Sequence, residues 1–522
     1  MTATVVVADA VLGAPTPGDA VVIEDGRVVA VTWRDQVGTD PTYRHDGAVI
    51  LPGLIDSHLH PLGYTALVTG TSVNRAADVG ELQEMLAEAA AALPAGGALV
   101  AQRLDDTRLG RLPTRHDLDR AVADRPVLVY RYCGHVAVAN TAALAAAGVS
   151  SGTSDPAGGS FGRDAEGAPT GVLRETAIDV VSRALDPLIP PPRPDQVLAA
   201  MDALAAVGIV RIGAMVSVGR PLWAGVGNEV EGICSVARDL PIAVDAMVVA
   251  DTPEDLRAAA RRLEAAGGKV RFWGWKEFAD GSLGGHTAAM HEPFADGGAV
   301  GTLRLAPERF REMARASFDL GGVAAVHAIG DRAIDSTLDL FDEAIRAGAD
   351  PSRLRLEHVS VPSEAAISRL ASMGVVASVQ PSFLVSEPEW VPARLGPGRA
   401  AYPLRSMLDA GVRMIGGSDC PVEPPDPLPA IAAAVHRPGW DDGQGLTVEE
   451  ALALYTSWPA DHFAAPPPLG PGAPADMVVV AGEVGSPEAR VETVYREGVP
   501  ASFRPIDWPG WQPGCDWLGG RG

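Results

Sequence analysis

Eight short apolar runs recur through the middle of the chain, at residues 53–60, 209–215, 242–249, 270–278, 323–328, 354–359, 375–380 and 413–417. Ala-rich segments with helical spacing of their apolar residues separate them. Parallel strands buried on both faces read as near-continuous apolar runs, and parallel neighbours need crossover helices between them. Eight such units in succession predict an α/β fold closed as a (β/α)8 TIM barrel, whose strand C-terminal ends all open onto one face.

The chain ends are patterned differently. Residues 4–7, 20–23 and 27–31 alternate as strands do, and Asp25-Gly26 between the last two is a strong hairpin signal. Similar runs return at 475–480 and 491–495, after a Pro/Gly-rich stretch at 466–474. Residues 1–50 plus 466–522 therefore predict one small β-sandwich domain built from both ends, bracketing a barrel domain at 51–465. The gap between the first and second runs is long. Residues 65–195 carry strand-like runs at 98–102 and 127–132 and a Gly-rich loop at 158–167. They read as an insertion over the barrel mouth. The tail tryptophans Trp508, Trp511 and Trp517 fit core packing, a cover over the barrel or packing against a neighbouring subunit.

Polar residues cluster where the runs end. His58 and His60 close the first run, and residues i and i+2 of a strand point to the same side, so both imidazoles can converge on one metal. His327 closes the fifth run, His358 the sixth, and Asp419 follows the eighth. Four histidines and an aspartate at strand exits are poorly explained by core packing, because burying them without partners is costly. Lys276 ends the fourth run, beside Trp273 and Trp275. It is one of only two lysines in a chain with 42 basic residues. Arginine could serve most ion pairs, so a retained lysine suggests chemistry that a guanidinium cannot do. An apolar pocket lowers an amine pKa, and such an amine can take up CO2 as a metal-bridging carbamate. Direct coordination by the free amine and a plain structural role are the other readings.

The net charge of −24 argues against a nucleic-acid-binding or anionic-membrane surface, both of which want a basic face. No run approaches the roughly 18 apolar residues of a spanning helix, and the first residues lack a signal-peptide pattern. Four cysteines without a CxxC fit a cytoplasmic protein with reduced thiols.

These features together resemble the amidohydrolase superfamily, in its family 3 branch of N-substituted formamide deformylase-like proteins. The marks are His58-Leu-His60, Lys276-Glu-Phe-Ala-Asp280-Gly-Ser-Leu-Gly, His327-Ala-Ile-Gly-Asp331, Glu357-His358, Gly417-Ser-Asp419 and the split β domain. In the insertion, Gly134-His135, Asn140-Thr-Ala-Ala-Leu144 and Gly171-Val-Leu-Arg-Glu175 also fit. Gly285-His286 departs from the branch, which usually shows Ser-Arg there. His286 could therefore alter substrate preference, or serve only structure.

The resemblance implies a metal-dependent hydrolase of C–N bonds, of amide type, with N-substituted formamides among the candidate substrates. His58, His60 and Asp419 would bind a first divalent ion, carbamylated Lys276 would bridge, and His327 and His358 would bind a second. Zinc is the first expectation, and iron, manganese or nickel suit the same donors. Metal binding lowers the pKa of water from 15.7 to about 7, so hydroxide can attack the carbonyl. Asp419 would take the proton and deliver it to the departing nitrogen. His135 would reach the oxyanion or substrate from the insertion, with Tyr64 and Arg131 as further substrate contacts. Glu175 and Asp331 would orient imidazoles. The expected partner is a small-molecule substrate, with a homodimer from family habit. The rivals are a one-metal deaminase or cyclic-amide hydrolase on the same scaffold, which would do without Lys276, and a non-catalytic metal-binding protein.

Overall fold

The computed structural model describes residues 3–131, 136–156, 159–219, 228–440 and 443–503. Its central element is an eight-stranded parallel sheet. The strands are β1 (Leu54–Leu59), β2 (Ile209–Ser217), β3 (Ala243–Val249), β4 (Val270–Phe278), β5 (Val323–Ala328), β6 (Leu354–His358), β7 (Val376–Val379) and β8 (Arg413–Gly416). They pair in sequence order, each parallel to the next. The ring closes between β8 and β1 just past the strand ends. There the Asp419 amide donates to the His58 carbonyl at 2.7 Å, and the His60 amide donates to the Cys420 carbonyl at 2.8 Å. The (β/α)8 barrel expected from the apolar runs is the fold observed, with every strand within a few residues of its run.

Helices pack against the barrel through apolar stripes. In Asp331–Arg346 the buried residues Ala333, Ile334, Thr337, Leu338 and Phe341 follow the spacing of one helical face. Thr252 and Ser363 cap two of these helices by accepting from the amides of Asp255 and Ala366. The pleat then decides what faces inward. On β4, Trp275 meets Phe310 of helix Pro307–Asp319, with ring centroids 6.2 Å apart. Lys276, one position on, turns to the opposite side, into the barrel. Inside, Met215, Met247, Val323 and Ala325 form a packed cluster, so the barrel is filled rather than open.

Strands from both chain ends join in one seven-stranded sheet. Its order is Val499–Ala501, Arg490–Arg496, Met477–Ala481, Tyr43–Pro52, Thr4–Val11, Gly18–Glu24 and Arg27–Thr32. Tyr43–Pro52 is the seam, parallel to Thr4–Val11 and antiparallel to Met477–Ala481. The Asp25-Gly26 hairpin turn has φ of 49° and 74°, the left-handed pair that this dipeptide favours.

A third sheet, of six strands, lies within residues 71–175. Here the structure differs from the expectation of a Gly-rich loop at 158–167. Gly159–Arg163 is a strand, paired antiparallel with Pro169–Glu175. Glycine suits the place because a Cβ on Gly159 would sit 2.5 Å from the Ala177 amide nitrogen. Cys234 and Cys420 are buried and unbridged. Among the described residues no helix is long and apolar enough to cross a membrane. The tail tryptophans Trp508, Trp511 and Trp517 lie outside the described residues.

Candidate metal centre

At the C-terminal ends of the strands, one cavity of about 500 Å³ is lined by His58, His60, Lys276, His327, His358 and Asp419 together. The imidazoles form a chain. Ring centroids are 5.6 Å apart for His60 and His58, 4.9 Å for His58 and His358, and 4.5 Å for His358 and His327. Asp419 stands at one end, with Oδ1 3.3 Å from His58 Nε2 and 3.1 Å from His60 Nε2. Ligand atoms of these three residues all lie within 4.8 Å of one another.

Two of the six face the cavity only because the backbone breaks its pleat. Glu357 and His358 are adjacent, so a regular strand would send them to opposite sides. Left-handed φ values of 73° at His358 and 48° at Val359 end the alternation, and both side chains turn to the interior. Asp419 has φ 58°. Non-glycine residues in this region are strained, and such strain gathers at functional sites.

Three of the four imidazoles have a partner that fixes the tautomer. His58 Nδ1 donates to Glu357 at 2.6 Å, which leaves Nε2 as the acceptor facing Asp419. His358 Nδ1 donates to Gln380 Oε1 at 2.8 Å. His327 Nε2 donates to the Gly281 carbonyl at 2.8 Å, leaving Nδ1 with its lone pair. Glu357 is in turn held by Arg355, whose guanidinium is fully buried inside the barrel. Burial pushes the Glu357 carboxyl up, but Arg355 and His58 outweigh it and hold it well below the usual carboxylate range. Asp419 behaves likewise: burial raises it, and His58 and His60 bring it well below its ordinary value. Burial lowers His60, and with His327 lowers His358 further.

Lys276 is 1% exposed, and its Nζ has no hydrogen-bond partner among the described residues. The amine sits 3.9 Å from the centroid of the Phe278 ring. Burial pushes it down to about 8, with Glu357 and Asp419 pulling the other way. A buried amine without a hydrogen-bond partner among the described residues, beside imidazole nitrogens and a carboxylate, is a donor set that fits a divalent cation of the zinc type.

The other residues singled out by sequence lie elsewhere. Tyr64 is buried on the helix that follows His60, its amide bonded to the His60 carbonyl at 2.9 Å. Arg131 pairs with Asp106 at 2.6 Å. His286 is turned to Asp296 at 2.9 Å, and Asp331 accepts from the His291 amide at 2.8 Å. The contacts that orient imidazoles come from Glu357, Gln380 and Gly281, to which sequence reasoning assigned no such role. His135 lies outside the described residues, as does the side chain of Glu175. Asp56 also went unnoticed. It is fully buried and accepts from the amides of His58 and Ser418 and, at 2.6 Å, from the Ser418 hydroxyl. It thereby clamps the end of β1 to the segment carrying Asp419. A polar residue inside an otherwise apolar strand was the available signal for it.

Comparison with known proteins gives the family. Residues 46–501 match the Amidohydro_3 model, described as the amidohydrolase family. The protein YtcJ of Bacillus subtilis, which carries the amidohydrolase designation, is 31% identical over 471 residues, covering 84% of this chain and 85% of the relative. N-substituted formamide deformylase of Arthrobacter pascens is 26% identical over 445 residues, 79% of each. The crystal structure of an uncharacterized metal-dependent hydrolase from Pyrococcus furiosus superposes with a TM-score of 0.73 at 28% identity, covering 93% of this chain and all of that one. The chain belongs to the amidohydrolase family, as a metal-dependent hydrolase of carbon–nitrogen bonds.

Proposed function

We propose that the chain hydrolyses an amide-type C–N bond of a small molecule at a centre of two divalent ions held by His58, His60, Lys276, His327, His358 and Asp419. Zinc is the first metal to try, with iron, manganese and nickel as the alternatives these donors suit. The observation that carries the reading is the lining of one cavity by all six residues, with the Lys276 amine buried among them and unpartnered within the described residues.

When bound, the metal supplies Lewis-acid stabilisation of charge on the carbonyl oxygen and acidifies water. The chain's own groups do the rest. Glu357, Gln380 and Gly281 hold three imidazoles in the tautomers that present a lone pair. The Lys276 amine can add its lone pair to CO2, forming an N–C bond as one C=O π bond opens and losing a proton to solvent, and the carbamate would offer two oxygens that share one negative charge. Asp419, anchored by its amide to the His58 carbonyl, takes the proton of the attacking water. It returns that proton to the leaving nitrogen, which must be protonated to depart as an amine. Phe278, Leu283, Ile329 and Phe383 line the same cavity with apolar surface. His135 is assigned to substrate contact, and residues 65–195 to an insertion on a barrel domain at 51–465. N-substituted formamides are the first substrates to test, because the Arthrobacter pascens relative is named for them.

One observation favours a single ion instead: only His58, His60 and Asp419 form a tight group of ligand atoms among the described residues. Metal analysis of the purified chain and of Lys276→Ala separates the two. Two ions per chain, falling with Lys276→Ala together with turnover of an amide panel, supports the proposal. One ion per chain and an active Lys276→Ala variant would establish the one-metal reading. An active chain that holds no metal would sink both.

A further inference from the structure

Beyond the six residues, the same cavity is lined by Ser386, Glu387, Tyr402 and Glu423. The Ser386 hydroxyl donates to Glu423 Oε1 at 2.5 Å, and the Tyr402 hydroxyl donates to Glu387. Glu423 is only 9% exposed, and its second oxygen has no partner among the described residues. Neither carboxyl forms an ion pair with a described lysine, arginine or histidine. Arg394 is the cation that acts on Glu387 through space, but its guanidinium is committed to Asp296 at 3.0 Å and to the carbonyls of Leu283 and Gly284.

Several other buried carboxyls in this chain are compensated, although Glu229, with one oxygen unpartnered among the described residues and pushed up to about 7 by burial, is not. Glu357 has Arg355 and His58, Asp245 has Arg211 and Arg271, and Asp280 accepts from three backbone amides. Glu387 and Glu423 have one hydroxyl donor each. Burying a carboxylate without a counter-charge is costly, and burial accordingly pushes Glu387 up to about 7 and Glu423 up to about 8. Aromatic faces adjoin them. Phe383 and Tyr402 have centroids 6.1 Å apart and line the cavity, together with Trp390. Carboxylates beside aromatic faces form a receptor for an organic cation. Among the described residues no arginine lines the cavity, and its one lysine is Lys276, among the proposed ligands. The described lining thus offers no free side-chain cation to a carboxylate-bearing substrate.

We propose that Glu423 and Glu387 receive a protonated amine of the substrate, so that this enzyme acts on small amides carrying an ammonium group. The inference rests on the hydrolase reading above, because it places the amine relative to a scissile carbonyl held at the metal centre.

The test uses full-length, zinc-supplemented protein and matched hydroxamic acids, which anchor on metal. One series carries a terminal ammonium on two to five methylenes. The other replaces that ammonium by methyl, as in 6-aminohexanohydroxamic acid against heptanohydroxamic acid. Titration calorimetry should show at least one ammonium member binding tenfold or more tightly than its methyl isostere. Glu423→Gln and Glu387→Gln should each erase most of that preference while methyl-isostere affinity holds. Equal binding of every pair by the wild-type chain overturns the ammonium proposal alone, and so does a preference that survives both substitutions. If neither series binds, the metal-centre reading has failed and the proposal falls with it.

Discussion

Glu357→Gln isolates the group that couples the barrel interior to the metal centre. In the native chain Arg355 and Glu357 are both fully buried. Arg355 Nε lies 2.5 Å from Glu357 Oε1, and its Nη2 donates to Oε2 at 3.0 Å, to the Ser57 carbonyl at 2.6 Å and to Ser378 Oγ at 3.1 Å. Glutamine keeps the shape and removes the charge. The guanidinium is then a buried cation without a counter-ion, a loss worth about 3–5 kcal/mol in comparable buried pairs. The change also swaps a charged acceptor of the His58 Nδ1–H for a neutral one, and altered partners of this kind cost roughly 10–100-fold in metal affinity or activity. Urea denaturation should be run on metal-free protein, so that ligand linkage does not enter. The expected loss is about 3–5 kcal/mol, by the same buried-pair argument. The double variant Arg355→Met/Glu357→Gln removes both charges and should recover at least half of that loss, yet not the activity, because His58 still lacks its carboxylate. A single variant that loses less than about 1 kcal/mol, the scale of an exposed pair, would refute the reasoning. So would a double variant less stable than the single.

Further outcomes follow from the same geometry. Asp419→Asn should lower kcat by about 10²–10⁴-fold, the usual worth of a positioned proton-transfer group, while the thermal transition is retained; a change of under tenfold contradicts the proton role. Dialysis against a chelator should abolish amide turnover and added zinc should restore it, as read by paired metal content and rate. Gly417→Ala would place a Cβ 2.6 Å from the His58 amide nitrogen and 2.8 Å from His58 Cβ. Backbone cannot yield cheaply there, so a cost of about 1–3 kcal/mol and loss of activity are expected from denaturation and assay. Asp117→Asn addresses pH. Hydrogen bonds from Arg111 hold the Asp117 carboxyl below its ordinary value against the pull of burial. A depressed folded-state pKa contributes stability that is fully present above the unfolded value of about 3.9 and is lost as pH falls through the folded value. Wild type should therefore exceed Asp117→Asn in stability at pH 7, and the gap should shrink as the pH drops below about 4. A gap that stays constant with pH would show that the charge contributes nothing.

The parts of this structure that were legible in the sequence share one physical cause. A strand buried on both faces must be apolar throughout, so its polar exit stands out, and His58, His60, Lys276, His327 and His358 all lie at such exits, with Asp419 just beyond one. The Asp25-Gly26 hairpin was legible because few dipeptides accept two successive left-handed residues. What sequence did not reveal depends on pairing at a distance. Gly159–Arg163 looked like a loop because its strand character comes from its partner Pro169–Glu175, not from its own composition. Glu357 finds His58 across 299 positions of chain, and His358 faces the cavity only through a left-handed φ that no local signature announces. Glu387 and Glu423 sit beyond the ends of β7 and β8, where no periodicity constrains them. Polar residues at strand exits have a counterpart one step inward. A charged residue within a strand that is buried on both faces has no water to meet, so its partner must lie inside the barrel. Arg355 and Glu357 stand two apart on β6 and share a side by the period of the strand. Asp56 interrupts β1 in the same way and meets Ser418 across the closing seam. The polar interior of this barrel was therefore written as interruptions of its apolar runs, and reading those interruptions as pairs identifies the groups that position the ligands.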